Sequence, residues 1–407
     1  MNGLCRDLVE ALLSSEEATD VDYEPGRGER NGGRHEKKIV TLFGPIRPIG
    51  RTYYYDTEKH EGHYPFDDRL GLVGRYTPAV CAEVMRYAVN HPYADAAREF
   101  ARAHSFTLSP DVFMEIVRAH GEKATAFTKD KGQGGKEDLD GPAEIVYEMS
   151  DGTGFPLRKR HTSKTRGRKD RKGKSKTREV KMSVFFQGGI DSDNEPFRKD
   201  GTTTYVATTD RRAKFEKLSR GEFDRRFTRM PKLVIHIGDG GKWVHTVHEN
   251  AFPFAVEILD ICHATEHLKP LMAGLGFKEG SKRWKQLHKY WSGRIRAGKI
   301  ESVLKMVWNG KYGKLGKDAM KEYKYFRRNK DRMKYDEYRA NGWFYGSGAI
   351  ESGCKTVVGL RFKQSGMIWS LNGAKALLAI RTLYKSNRLE EFFNYLVADL
   401  PQVACAA

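Results

Sequence analysis

Two aspartates and one glutamate have settings suited to chemistry. Asp151 lies in S-D-G-T-G after the apolar run AEIVYEM, and Asp239 lies in G-D-G-G after KLVIHI. Glu351 sits in G-S-G-A-I-E-S-G at the start of a helical stretch. The glycines beside the aspartates let backbone or substrate approach closely. Carboxylates gathered at one place repel unless cations neutralise them, and hard oxygen ligands with open positions suit Mg²⁺ or Mn²⁺. Two such ions about 3.5–4 Å apart activate a nucleophile and stabilise the leaving oxygen of a phosphodiester. A lone Asp-Gly is ordinarily a turn. The chemistry is carried by the combination, provided the chain between these residues brings them together.

The elements that must do so can be read from periodicity. AEIVYEMSDG reads as a strand ending at Asp151, with EVKMSVFFQ and TTYVATT as the next two, broken by a turn around GGIDSDNEP. AKFEKLSRGEFDRRFT is helical, KLVIHIGDGG is a fourth strand ending at Asp239, KWVHTVHENAF is helical and AVEILDIC is a fifth strand. The order β-β-β-α-β-α-β is that of a ribonuclease H-like fold, an α/β class with a mixed five-stranded sheet. In that topology the first and fourth strands are neighbours, so Asp151 and Asp239 converge at one sheet edge. Residues 264–345 read as almost wholly helical and basic, an α-helical insertion ahead of the Glu351 helix. Trp284, Trp291 and Trp308 fall at helical spacing there, which for most of them means core packing.

Upstream, a short helix (Asp7 to Ser14) precedes a polar, Gly-rich stretch that reads as a linker, and residues 38–56 carry a β-hairpin signature. From Thr77 to Thr128 the pattern is helical, with Thr77–Pro78 and Ser109–Pro110 as helix starts. This is either a DNA-reading helix-turn-helix or a structural bundle. The expected domains are 1–37 (flexible segment), 38–128 (hairpin and helical DNA-binding region), 129–141 (linker), 142–263 (core, first part), 264–345 (helical insertion), 346–397 (core, second part, with Glu351) and 398–407 (tail).

The blocks MSDGTGFPLRKR…KTREVKMSVFF, IGDGGKWV…FPFAVEILDICHATEHL and GSGAIESGCKTVVGLRFKQSGMIWS resemble the DDE transposases of bacterial insertion sequences, the ISKra group akin to Mutator-like elements. The resemblance covers roughly residues 38–395. It implies a DDE triad at Asp151, Asp239 and Glu351 holding Mg²⁺ or Mn²⁺, as two ions. It also implies a helical insertion before the glutamate and a C/D-x-x-H motif matched by Asp260 and His263. His263 then either sits near the scissile phosphate or buttresses the site. Cys262, between them, reads as a small buried hydrophobe. The partners implied are double-stranded DNA, as terminal inverted repeats and target, and at least a second copy of the chain on DNA. Alternatives are a nuclease or resolvase on the same fold, or a domesticated DNA-binding protein that has lost chemistry.

The charge agrees with a polyanionic partner: 407 residues carry a formal net charge of +19,. It is densest from Arg158 to Arg178, where 12 of 21 residues are Lys or Arg: Arg158, Lys159, Arg160, Lys164, Arg166, Arg168, Lys169, Arg171, Lys172, Lys174, Lys176 and Arg178. A stretch this basic beside Asp151 would neutralise phosphates and make binding salt-dependent. Arg361, Lys363 and Gln364, just after the Glu351 helix, either track the DNA end or form a packed connector. The five cysteines show no C-x-x-C, which excludes a zinc ribbon and fits a reducing compartment,. His245 and His248 share a helix, but no H-E-x-x-H exists, which excludes that class of zinc protease. No apolar run is long enough to span a bilayer, and no signal peptide is evident, so a cytoplasmic, nucleoid-associated protein is expected.

Overall fold

In the computed structural model, the apolar runs leading to the two aspartates lie side by side in a six-stranded mixed sheet. The structure describes residues 2–15, 23–129, 143–158, 177–227, 229–313, 315–398 and 400. The chain divides into two units: Lys129–Ile368, and Met1–Thr128 together with Trp369–Ala407. The last residues of the expected second core part, 369–397, therefore group with the N-terminal unit.

In the N-terminal unit, α1 (Asn2–Ser14) is followed by β1 (Glu29–Lys37), β2 (Val40–Thr41), β3 (Gly44–Pro45), β4 (Ile49–Asp56) and β5 (Glu61–His63). β1 pairs antiparallel with β4. The stretch read as a linker is thus partly strand. Nearly every β1 side chain is exposed, so it carries no apolar alternation, and its partner's backbone organises it,. Then come α2 (Pro65–Arg69), α3 (Pro78–Ala88), α4 (Tyr93–Ala103) and α5 (Pro110–Lys129). Thr77 takes the extended N-cap backbone before Pro78, but its side chain makes no cap hydrogen bond. The exposed face of α5 mixes Asp111, Glu115 and Glu122 with Arg118, Lys123 and Lys129. Its other face buries Phe113, Ile116, Val117 and Phe127. Phe127 meets Phe392 and Tyr395 of α17 (Leu389–Ala398), which follows α16 (Leu371–Lys385). Arg381 of α16 donates to the Val89 carbonyl, and Arg86 pairs with Glu390 at 2.7 Å.

The second unit holds β6 (Ile145–Pro156), β7 (Thr177–Ile190), β8 (Pro196–Arg198), β9 (Thr204–Thr208), α6 (Arg212–Arg226), β10 (Leu233–Gly238), α7 (Lys242–Ala251) and β11 (Val256–Leu259). The sheet runs β11-β10-β6-β7, with β8 and β9 both pairing with β7. The β6–β10 and β10–β11 pairs are parallel, and β7 is antiparallel to β6 and β9. This mixed α/β arrangement is compatible with a ribonuclease H-like fold. It has six strands rather than five because the GGIDSDNEP turn is tight enough to form a hairpin. The Asp191 carboxylate accepts from the Asp193 and Glu195 backbone N–H groups and folds β8 back on β7,. Strand β6 also continues past Asp151 to Pro156, since β7 supplies register partners as far as Thr177. Asp151 is therefore inside a strand rather than at its end.

After β11 the chain is helical: α8 (Ile261–Glu266), α9 (Leu268–Gly274), α10 (Lys282–Arg296), α11 (Ile300–Trp308), α12 (Lys317–Asn329) and α13 (Tyr335–Ala340). Trp291 is fully buried, Trp284 is half-buried against His288, and Trp308 is 59% exposed. Core packing thus holds for Trp291 and fails for Trp308, which lies on Tyr323 at the surface. Helix α14 (Gly348–Gly353) carries Glu351 and continues through a π-helical turn (Cys354–Gly359) into α15 (Leu360–Phe362).

Candidate active site

Strand register sets the first pair of carboxylates. Ser150 of β6 stands opposite Gly238 of β10 in a parallel pairing, so Asp151 and Asp239 are the next residues along adjacent strands. Such strands lie about 4.8 Å apart. After Asp239 the chain turns through Gly240, whose φ of +74° favours glycine,. A Cβ there would also meet Leu259 and the Tyr325 hydroxyl at 2.7 and 2.6 Å. The Asp239 carboxylate accepts from Gly241 N–H at 2.8 Å, and Asp151 accepts from Gly152 N–H at 2.6 Å.

A buried polar chain fixes these strands from the opposite face. Glu148 and His236 are wholly buried and hydrogen-bond to each other across β6 and β10. Ser150 donates to Glu148 at 2.6 Å, and Ser150, Ser183 and Ser219 connect in turn at 2.9 and 2.7 Å. The chain joins three strands and α6 one residue before Asp151. Alternation hid it from the sequence reading, because it lies among core positions.

Glu351 comes to the same sheet through its helix. Gly353 packs onto Met182 and Tyr205, where a Cβ would come within 2.9 Å of the Met182 methyl and 2.8 Å of the tyrosine ring. Met182 is the register partner of Asp151, so this glycine sets how near the helix lies to the aspartate strand. Gly353→Val is expected to cost about 1–3 kcal/mol by overpacking. It should lower any metal-dependent activity at least about tenfold, read from a urea midpoint and a turnover assay on the same protein.

Cys354, one helical turn from Glu351, points its thiol at Asp151 Oδ2, 3.8 Å away. Burial, and then the Asp151 charge, push this thiol up to about 12, so it is a neutral donor. Burial also raises the Asp151 carboxyl, and the charges of Asp239 and Glu351 add to it while His263 opposes. Three charged groups therefore act on the Asp151 carboxyl.

Asp260 and His263 form the other wall. Asp260 is completely buried at the start of α8. One of its oxygens accepts from Ser347 N–H at 2.9 Å; the other accepts from His263 N–H at 2.9 Å and contacts His263 Nδ1 at 2.8 Å. Burial opposes its ionisation, but these hydrogen bonds outweigh burial and hold its carboxyl below the usual range. The bond to Asp260 raises His263 to about 9, against burial, with Asp239 adding to the rise. His263 is therefore an imidazolium at neutral pH. Ser347, whose N–H serves Asp260, also donates its hydroxyl to Glu351 at 2.8 Å, so one residue bridges Asp260 and the third carboxylate.

Ligand atoms of Asp260, His263 and Glu351 lie within 4.8 Å of one another. Both Asp260 oxygens already accept hydrogen bonds, from Ser347 and from His263. Among the described residues, Asp151, Asp239 and Glu351 do not form a group within that distance. They are nevertheless hard oxygen donors; burial raises Asp151 most, the Asp239 and Glu351 charges add to it, and a divalent cation relieves such repulsion,. A second group, His245, His248 and Glu257, is occupied by Arg332, which pairs with Glu257 and ties the helical insertion to β11.

The remaining expected site residues divide. Lys363 is exposed and donates to Thr153 at 2.7 Å, on the same strand face as Asp151. Gln364 is exposed and Arg158 is exposed. Arg361 is fully buried and so presents nothing to a duplex; it is a structural residue of the connector. Arg178 is half-buried in β7 and donates to the Thr209 carbonyl. Cys262 is exposed in the first turn of α8 rather than buried, because Ile261 and Ala264 take that helix's inward positions. Lys159, Arg160, Lys164, Arg166, Arg168, Lys169, Arg171, Lys172, Lys174 and Lys176 lie outside the described residues. The described cysteines Cys5, Cys81, Cys262 and Cys354 are free thiols.

No family model matches the chain. No curated protein matches it either. Among solved structures, the chain is similar to the Drosophila P element transposase strand transfer complex at 8% identity and a TM-score of 0.27, over 81% of this chain and 82% of that one. So slight a likeness bears on neither fold nor function. Among the described residues, no helix is long and apolar enough to cross a membrane.

Proposed function

We propose that this chain is a DNA transposase of an insertion sequence, performing metal-dependent strand cleavage and strand transfer at Asp151, Asp239 and Glu351. The observation that carries the reading is the parallel register of β6 and β10. It makes the two aspartates neighbours on one edge, with the Glu351 helix seated on the residue paired with Asp151. Divalent ions held by the three carboxylates would supply activation of the attacking oxygen and stabilisation of the leaving one. The chain's own residues do the rest. The Cys354 thiol and Gly152 N–H orient the Asp151 carboxylate. Asp260 holds the His263 imidazolium, on which the Asp239 charge also acts, so that it can donate to a phosphate oxygen,. Lys363, anchored on Thr153, adds a second positive charge along the same strand. Catalysis by such a site rests on positioning and charge neutralisation.

The test uses the full chain and a duplex carrying the inverted repeat that flanks its coding sequence. Nicking at the repeat end that requires Mg²⁺ or Mn²⁺, followed by joining of the 3′-OH end to a second duplex, is the expected result. Cutting without joining would make it a nuclease. Tight binding with no metal-dependent cutting would end the enzyme reading.

A further inference from the structure

We propose that the outward ridge of α12 binds the phosphate backbone of duplex DNA and leads it to the carboxylate site. This rests on the function proposed above but concerns a surface that plays no part in it. Lys317, Lys321, Lys324 and Arg328 are all exposed and spaced by four, three and four residues. At about 100° per residue they fall within an arc of roughly 60°. The opposite side buries Ala319, Glu322, Tyr323, Phe326 and Asn329, so the ridge points away from the core.

Such an arrangement does not help the helix. Like charges at these spacings repel, and Lys317 in the first turn opposes the helix dipole. A solvated helix face ordinarily mixes signs. Here, among the described residues, no ion pair engages Lys317, Lys324 or Arg328. Lys321 has only Glu322, at 3.8 Å, and that carboxylate also binds His267 at 2.6 Å. Three of the four ridge cations therefore have no ion-pair partner among the described residues, which suits an outside polyanion.

Its position ties it to the site. Tyr325, on the flank of the ridge, donates its hydroxyl to the Asp239 carbonyl at 3.4 Å and stacks on His267 at 3.7 Å. Arg328 follows Tyr325 by about one helical turn. One end of the ridge thus stands beside the second aspartate. From Lys317 to Arg328 the helix rises about 16 Å. One DNA strand presents a phosphate about every 3.4 Å of axis, so four contacts fit within that length.

The experiment measures duplex affinity against salt concentration, in chelator, for the full chain and for Lys317→Ala/Lys321→Ala/Lys324→Ala/Arg328→Ala. Each phosphate contact contributes about 0.9 to the slope of log K against log salt, so loss of all four lowers it by up to about 3.6. A companion variant, Lys317→Arg/Lys321→Arg/Lys324→Arg, should keep the wild-type slope. Thermal melting confirms that both variants fold. A slope in the alanine variant within 1 of wild type, in a chain that binds and nicks DNA, overturns the ridge and leaves the transposase reading standing. A wild-type chain that neither binds nor nicks duplex DNA ends both.

Discussion

Asp151→Asn, Asp239→Asn and Glu351→Gln should each lower metal-dependent nicking of a repeat-end duplex by about 10³-fold or more, while duplex affinity in chelator changes less than about threefold. The magnitude follows from the several kcal/mol of charge stabilisation that a held metal ion contributes to phosphoryl transfer. Each amide keeps the shape of the side chain and removes one negative charge, so folding is not the cause of the loss. Asp151 is the most informative of the three. Its carboxyl is raised by burial and by Asp239 and Glu351, so in metal-free protein its titration should shift down in the Asp239→Asn and Glu351→Gln variants. A nicking rate near wild type in any one variant removes that residue from the metal-holding set.

Asp260→Ala should be the most damaging single change to stability, at about 3–5 kcal/mol. It empties a fully buried position that accepts from Ser347 N–H, His263 N–H and the His263 ring, and it leaves those groups unsatisfied,. The pH dependence of metal-free protein gives an independent check. The Asp260 carboxyl is depressed, so its contribution is present above the ordinary carboxylate value of about 3.9 and is lost as pH falls through the folded value,. His263 is raised from 6.5 to about 9, so its contribution is complete below about 6.5 and is lost as pH rises through about 9,. The pair therefore stabilises most between about pH 4 and 6.5. In Asp260→Asn the His263 titration, followed by its ring-proton shifts, should move from about 9 back towards 6.5. A titration that stays near 9 would mean that some group other than Asp260 holds the proton.

What could be read along the chain, and what could not, follows from how far each interaction reaches. Alternation and turn residues are local, and they placed β7, β9, β10 and β11 close to their observed limits. They failed for β1, whose polar face carries no period, and for β8, which a side-chain-capped turn creates. The aspartates were legible because each stands after an apolar run and before glycines. Their adjacency was inferred from strand order, and the register that makes them neighbours belongs to the pairing of β6 with β10. Glu351 had no such local support. Its nearness to Asp151 depends on about 90 residues of largely helical chain after β11 returning to the sheet, and on Gly353 fitting against Met182 and Tyr205. The same holds for burial. Arg361 looked like a DNA contact and is enclosed, whereas Cys262 looked enclosed and is exposed. Residue type and local spacing thus determined the donor chemistry and the elements that carry it. Only tertiary packing decided which donors meet, because register and burial are set by partners distant in sequence.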